Sequence, residues 1–137
     1  MTEVSPVTPD ELDPSPVGEL ALRVMAMPKD TNANGDISGG WLVTQMDAAA
    51  AIVANRIAKG RTTTMAVGEM SFVRPVKVGS VVCCYAKVTH MGRSSMRINI
   101  EVWCRRPEDE VRQKVTEAEF IYVAIDEQRR IRPLPKE

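Results

Sequence analysis

Asp47 stands inside an alanine-rich run, Met46 to Ala51, where nothing local accounts for a carboxylate. At helical spacing its neighbours are Val43, Thr44, Ala50 and Ala51, one hydroxyl and no cation. A buried carboxylate is costly unless it is paired or put to use. Desolvation disfavours its charged form and makes it a stronger base, and small neighbours leave space for a planar substrate. Seven and eight residues upstream, Gly40 and Gly39 open the same segment. Glycine there permits close approach to the backbone, and the free amides of a first helical turn can polarise a carbonyl. A base and an oxyanion site are the two groups that metal-free hydrolysis of an activated ester requires. Two plainer readings stay open: Asp47 as a helix aspartate paired with a distant arginine, and Gly39-Gly40 as a tight loop-to-helix junction.

Other chemistries find no support in the residue types. His90 is the only histidine and no G-x-S-x-G elbow occurs, which argues against a Ser-His-Asp hydrolase. Cys83 and Cys84 are adjacent in a strand-like segment and so point to opposite faces. With Cys104 and one histidine they supply no zinc spacing, so no metal site is expected. GDISGG, Gly35 to Gly40, has the wrong spacing for a P-loop or a dinucleotide fingerprint.

A helix must carry Asp47 and the glycines, and the pattern predicts one from about Gly40 to Lys59, closed by Gly60 as its C-cap. It is apolar almost all round until its last turn, which predicts burial. Before it, Leu20 to Met27 reads as a strand stopped by Pro28, and Asn34-Gly35 marks a turn. Beyond it only strands are predicted, at Arg61 to Val73, Val81 to Met91, Ser95 to Arg105 and Gln113 to Ile125. This order defines an α+β domain, most simply an antiparallel sheet wrapped around one central helix. We place that domain at 18–126, after a Pro-rich flexible lead-in at 1–17 and before a loose basic tail at 127–137.

Composition narrows the partners. In 137 residues, 18 Lys and Arg balance 18 Asp and Glu, so no global field draws the chain to nucleic acid or an anionic membrane. Aromatic content of 4% gives no stacking platform for single strands. No apolar run approaches the roughly 20 residues of a spanning helix. The acidic, Pro-rich N-terminus does not read as a signal peptide, and three cysteines make a poor disulfide framework, so a cytoplasmic protein is expected.

Three blocks, AMPKDTNANGDISGGWLVTQMD, FVRPVKVGSVVCCYAKV and GRSSMRINIEVW, resemble the YciA-like acyl-CoA thioesterases. The similarity runs from about Leu20 to Ile125. It implies a hotdog fold, a homodimer often built into a hexamer, acyl-CoA as substrate, and no cofactor, since coenzyme A belongs to the substrate. Asp47 takes the catalytic-aspartate position, as general base or nucleophile, with the Gly39 and Gly40 amides on the thioester carbonyl. Asp36 falls where related two-domain thioesterases can carry an asparagine that holds substrate or water; as an aspartate after Asn34-Gly35 it also suits a simple Asx turn.

The coenzyme's phosphates suit arginine forks. Arg61, Arg74, Lys77, Arg93 and Arg97 fall at strand ends or turns where a rim would form. The turn Gly92, Arg93, Ser94, Ser95 resembles the family's GRSS turn, and Asn34 is a further candidate for substrate contact. In AVGEMSF, Gly68 and Glu69 stand where the family more often has Glu and Ser; a one-place shift faces the other side of a strand, and chain-length preference is the property it bears on. A second reading keeps the fold and drops the chemistry: a non-catalytic acyl-CoA-binding hotdog, acting as ligand sensor or assembly module. Regulators of that kind usually add a DNA-binding segment, for which 137 residues leave no room.

Overall fold

The structure is a computed structural model and describes residues 15–136. Most of the proposed flexible lead-in, 1–14, lies outside the described residues, as does residue 137. Five strands, β1 (Glu19–Met25), β2 (Thr62–Val67), β3 (Val81–Met91), β4 (Ser95–Arg105) and β5 (Gln113–Ala124), form one antiparallel sheet in the order β1-β3-β4-β5-β2. One helix, α1 (Gly39–Ala58), crosses its inner face and touches every strand.

Period-2 alternation builds the inner face. Val82, Cys84 and Ala86 of β3, Met96, Ile98 and Ile100 of β4, and Phe120, Tyr122 and Ala124 of β5 are buried, while their neighbours point outward. Ala49, Ala50, Ala54 and Ala58 let the helix backbone lie close to this face, and Met46 and Val53 fill the gaps between them. Full burial of Ile98, Ile100 or Phe120 is worth about 2 kcal/mol each. Cys84 points inward and Cys83 outward as expected, and burial pushes the Cys84 thiol up to about 12, which makes it unreactive.

Three features differ from the sequence reading. The helix is stopped by Lys59, left-handed at φ 53°, rather than by Gly60; Arg132 then donates from Nη2 to the Ala58 carbonyl at 2.9 Å. The helix is not enclosed by one chain, since Thr44, Ala48 and Ile52 form an exposed stripe at four-residue spacing. β2 is shorter than expected: past Val67 the chain still follows β5, but through scattered bonds, Gly68 N–H to Glu119 O at 2.8 Å, the Thr116 hydroxyl to Ser71 O at 2.8 Å and Val73 N–H to Val115 O at 2.9 Å.

The tail differs too, for it is fastened rather than loose. Arg132 N–H donates to Ala124 O at 3.0 Å and Leu134 N–H to Arg93 O at 2.8 Å. At the other end, the last residues of the lead-in lie on the outer sheet face. There Val17 N–H reaches Glu101 Oε1 at 3.4 Å, and Arg112 donates to Ser15 Oγ at 3.2 Å. Gly18 turns the chain into β1 at φ +107°, and a Cβ there would sit 2.3 Å from the Ala86 carbonyl oxygen, so no other residue fits.

Candidate active site

Asp47 lies in the third turn of α1, half-buried in the single chain rather than fully enclosed. Its partners are not the distant arginine of the plainer reading. Thr64 Oγ1 donates to Oδ1 at 2.8 Å. Tyr122 donates its hydroxyl to the same Oδ1, and lies 2.8 Å from the main-chain carbonyl of Asp47 as well. Among the described residues Oδ2 accepts no hydrogen bond. The carboxylate is therefore held through one oxygen and left free at the other.

Thr64 and Tyr122 were missed by the sequence reading. They face each other directly in the β2–β5 ladder, so both side chains project from one face onto the helix. Immediately afterwards the register slips between Thr64 and Ala66, leaving Met65 as the extra residue of a bulge beside the site. Burial, and then the hydrogen bond to Asp47, push the Tyr122 phenol above its usual range, so it remains a donor at any working pH. A readable signal was available for Tyr122. It sits on the inward phase of a core strand, and a buried tyrosine hydroxyl needs a partner.

At the helix entrance Ser38 is the N-cap, and its Oγ accepts from Trp41 N–H at 3.5 Å. The amides of Gly39 and Gly40 make no hydrogen bond among the described residues and are available to an oxyanion. Neither glycine is forced by conformation; a Cβ would meet the Phe72 ring at 3.4 Å at position 39 and Ser38 Oγ at 3.5 Å at position 40. Gly39 lines an open groove of about 360 Å³ with Asn32, Asp36, Phe72, Val73 and Arg74.

The remaining candidates fall into two separate groups. Asp36 is engaged by Lys77 Nζ at 2.7 Å, so the two candidates neutralise one another in the single chain. The turn is organised by Asn32, whose Oδ1 accepts from Asn34 N–H at 2.9 Å and Asp36 N–H at 3.2 Å; Asn34 itself is exposed. Arg74 is exposed nearby and makes no ion pair among the described residues.

Arg61 and the Gly92–Ser95 turn meet instead at the far end of the helix. There the Arg61 carbonyl accepts from Ile125 N–H at 3.0 Å and that of Ser94 from Ala124 N–H at 2.9 Å. Gly92 N–H closes the turn on Ser95 O at 2.8 Å, and the exposed Arg93 borders a groove of about 570 Å³ whose other wall is Pro133 to Lys136. Arg97 is drawn away from both groups by Glu119 at 3.1 Å. The tail as one wall of the Arg93 groove is another feature that sequence alone did not suggest.

A five-stranded antiparallel sheet wrapped on one long helix is the hotdog architecture, and a carboxylate and free amides on that helix fit a thioesterase. Comparison with known proteins agrees. Residues 34–111 match the thioesterase superfamily model. The chain is 56% identical over 127 residues to the acyl-CoA thioester hydrolase YciA of Salmonella typhimurium, covering 90% of this chain and 96% of that one. It is 54% identical to YciA of Escherichia coli, over 89% and 95% of the two chains.

Solved structures of similar shape include a hexameric thioesterase from Yersinia pestis, with TM-score 0.86 and 54% identity over 90% of this chain and 100% of that one. Another is a hexameric broad-specificity acyl-coenzyme A thioesterase, with TM-score 0.85 and 49% identity over 90% and 85%. The chain belongs to the thioesterase superfamily and, within it, to the YciA family of acyl-CoA thioester hydrolases.

Proposed function

We propose that the protein hydrolyses acyl-CoA thioesters to free acid and coenzyme A at a site shared between two chains. The observation that carries this is Asp47, fixed through Oδ1 with Oδ2 bare, on a helix whose first amides are unoccupied. Acting as base, Oδ2 takes a proton from water as the water oxygen attacks the thioester carbon. The resulting oxyanion is held by the Gly39 and Gly40 amides, and collapse expels the coenzyme A thiolate, which regains the proton. Acting as nucleophile, the same oxygen attacks the thioester carbon and expels the coenzyme A thiolate, leaving a mixed anhydride; water then opens the anhydride to the free acid and the Asp47 carboxylate, and the proton released goes to the thiolate. Neither course needs a resident cofactor or metal.

Distance and symmetry support sharing. Seven or eight residues of helix separate the glycine amides from Asp47 by roughly 10–12 Å. A carbonyl oxygen about 3 Å from its donors, attacked by a water within hydrogen-bond reach of the base, spans less than that. The Arg61 and Arg93 group lies further still, at the opposite end of the 20-residue helix. β2 is a sheet edge, and Met65, Val67 and Ile52 around it are exposed apolar residues. Two copies joined by a two-fold axis at this edge pair their β2 strands antiparallel. The glycine end of each helix then faces the arginine end of the other. We take this dimer as the unit of a hexamer like those of the related thioesterases. No described helix is long and apolar enough to cross a membrane, and Cys83, Cys84 and Cys104 are all free, which fits a reducing cytoplasm.

Release of free thiol from a panel of acyl-CoAs of increasing chain length tests the activity: turnover supports hydrolysis, and tight binding without thiol release would make the protein a sensor. The phosphate assignment has its own test. Arg93→Ala should raise KM for acyl-CoA about tenfold and leave kcat within about twofold, because remote phosphate contacts bind ground and transition states alike. An acyl-pantetheine substrate, lacking the nucleotide, should be hydrolysed by both proteins equally; matched losses on the two substrates would take Arg93 out of phosphate binding.

A further inference from the structure

We infer that Tyr122 and Thr64 are positioning residues for Asp47, holding its carboxylate in one rotamer with Oδ2 as the only oxygen free to react; the inference rests on Asp47 being the reacting group. The Tyr122 hydroxyl sits between two acceptors of the same residue, Oδ1 and the main-chain carbonyl of Asp47. Those two oxygens repel when brought together unless a donor lies between them. Tyr122 therefore stabilises a side-chain orientation that Asp47 would otherwise leave. Thr64 Oγ1 reaches Oδ1 from the other strand at 2.8 Å, which fixes the plane of the carboxylate as well as its χ1.

The scaffold is rigid where it needs to be. Tyr122 is 2% exposed, its ring is packed in the core, and it is paired on both sides, with Met96 of β4 and Thr64 of β2. The bulge at Met65 directly follows Thr64, so the register that brings the two hydroxyls together is set at this point of the strand. With both hydroxyls committed to Oδ1, water or a thioester carbon meets Oδ2 alone.

Positioning predicts a loss in kcat with no change in substrate binding. Tyr122→Phe and Thr64→Val each keep shape and strand preference while deleting one hydroxyl. Each should lower kcat about tenfold to a hundredfold, the range for a hydrogen bond to a charged group, with KM within about twofold. Thr64→Ser restores the donor and should recover kcat to within about threefold of the original protein.

Asp47→Asn, measured alongside, separates the two levels of the argument. If Asp47→Asn is inactive while Tyr122→Phe and Thr64→Val turn over normally, the positioning role is overturned and the Asp47 assignment stands. If Asp47→Asn is itself active, the assignment beneath it fails. Thr64→Ser as slow as Thr64→Val, or losses confined to KM, would likewise overturn positioning. Should Tyr122→Phe fail to fold, the Thr64 pair of variants decides the question alone.

Discussion

Asp47→Asn should lose about a thousandfold in kcat while melting at nearly the same temperature as the unaltered protein. The magnitude is that of a general acid–base group, worth roughly 10²–10⁴ in rate. The stability follows from the geometry. An asparagine carbonyl oxygen can occupy the Oδ1 position and accept from both Thr64 and Tyr122, so no buried donor is orphaned. What disappears is the charge on the other oxygen. Coenzyme A affinity should hardly change, because the phosphate-binding candidates lie at a different part of the fold. Asp47→Ala should be as slow and somewhat less stable, since it leaves the Tyr122 hydroxyl with only the main-chain carbonyl. Near-normal turnover in either variant would remove Asp47 from the chemistry.

Gly39→Pro should cost about a hundredfold to a thousandfold in kcat, against only a few-fold for Gly39→Ala. Proline deletes one amide hydrogen, and losing one oxyanion donor has that cost. The backbone tolerates the change: position 39 is the first of the helix, where proline is favoured, and Ser38 is already extended at φ −62°, ψ 135°, the conformation required before a proline. Alanine keeps the amide and adds only a Cβ in ordinary contact with Phe72 at 3.4 Å. The pair thus separates a lost donor from added bulk. Equal activity in the two variants would mean that this amide does not touch the transition state.

What the sequence revealed and what it concealed divide along physical lines. β3 and β4 were legible to the residue because strict alternation is read locally and each is bounded by turn residues. The end of β2 was not, since its apolar pattern runs on through Met70 and Phe72 after the ladder has thinned to isolated hydrogen bonds. The helix stop was misplaced by one residue because Arg132, 74 positions along the chain, secures a turn that glycine was expected to end. The glycines and Asp47 stood out as residue types at odds with their surroundings. Their partners did not: Thr64 sits in a run of three threonines, and Tyr122 meets Asp47 across 75 residues through a register that only the folded sheet defines. Lys77 and Asp36 were each read as a site residue, and their mutual ion pair depends on two loops that no periodicity connects.

A hydrolytic site made from Asp47 of one chain and the Gly39-Gly40 amides of another is tested most directly by complementation between crippled variants. Asp47→Ala and Gly39→Pro proteins, each nearly inactive, are co-assembled into mixed oligomers and assayed for thiol release from acyl-CoA. In a mixed dimer with shared sites, one site carries both lesions and the other carries neither. Random pairing makes about half of the dimers mixed, so activity should return to roughly a quarter of that of the unaltered protein. If each site lay within one chain, every site would keep one lesion, and the mixture would stay at the average of its two parents.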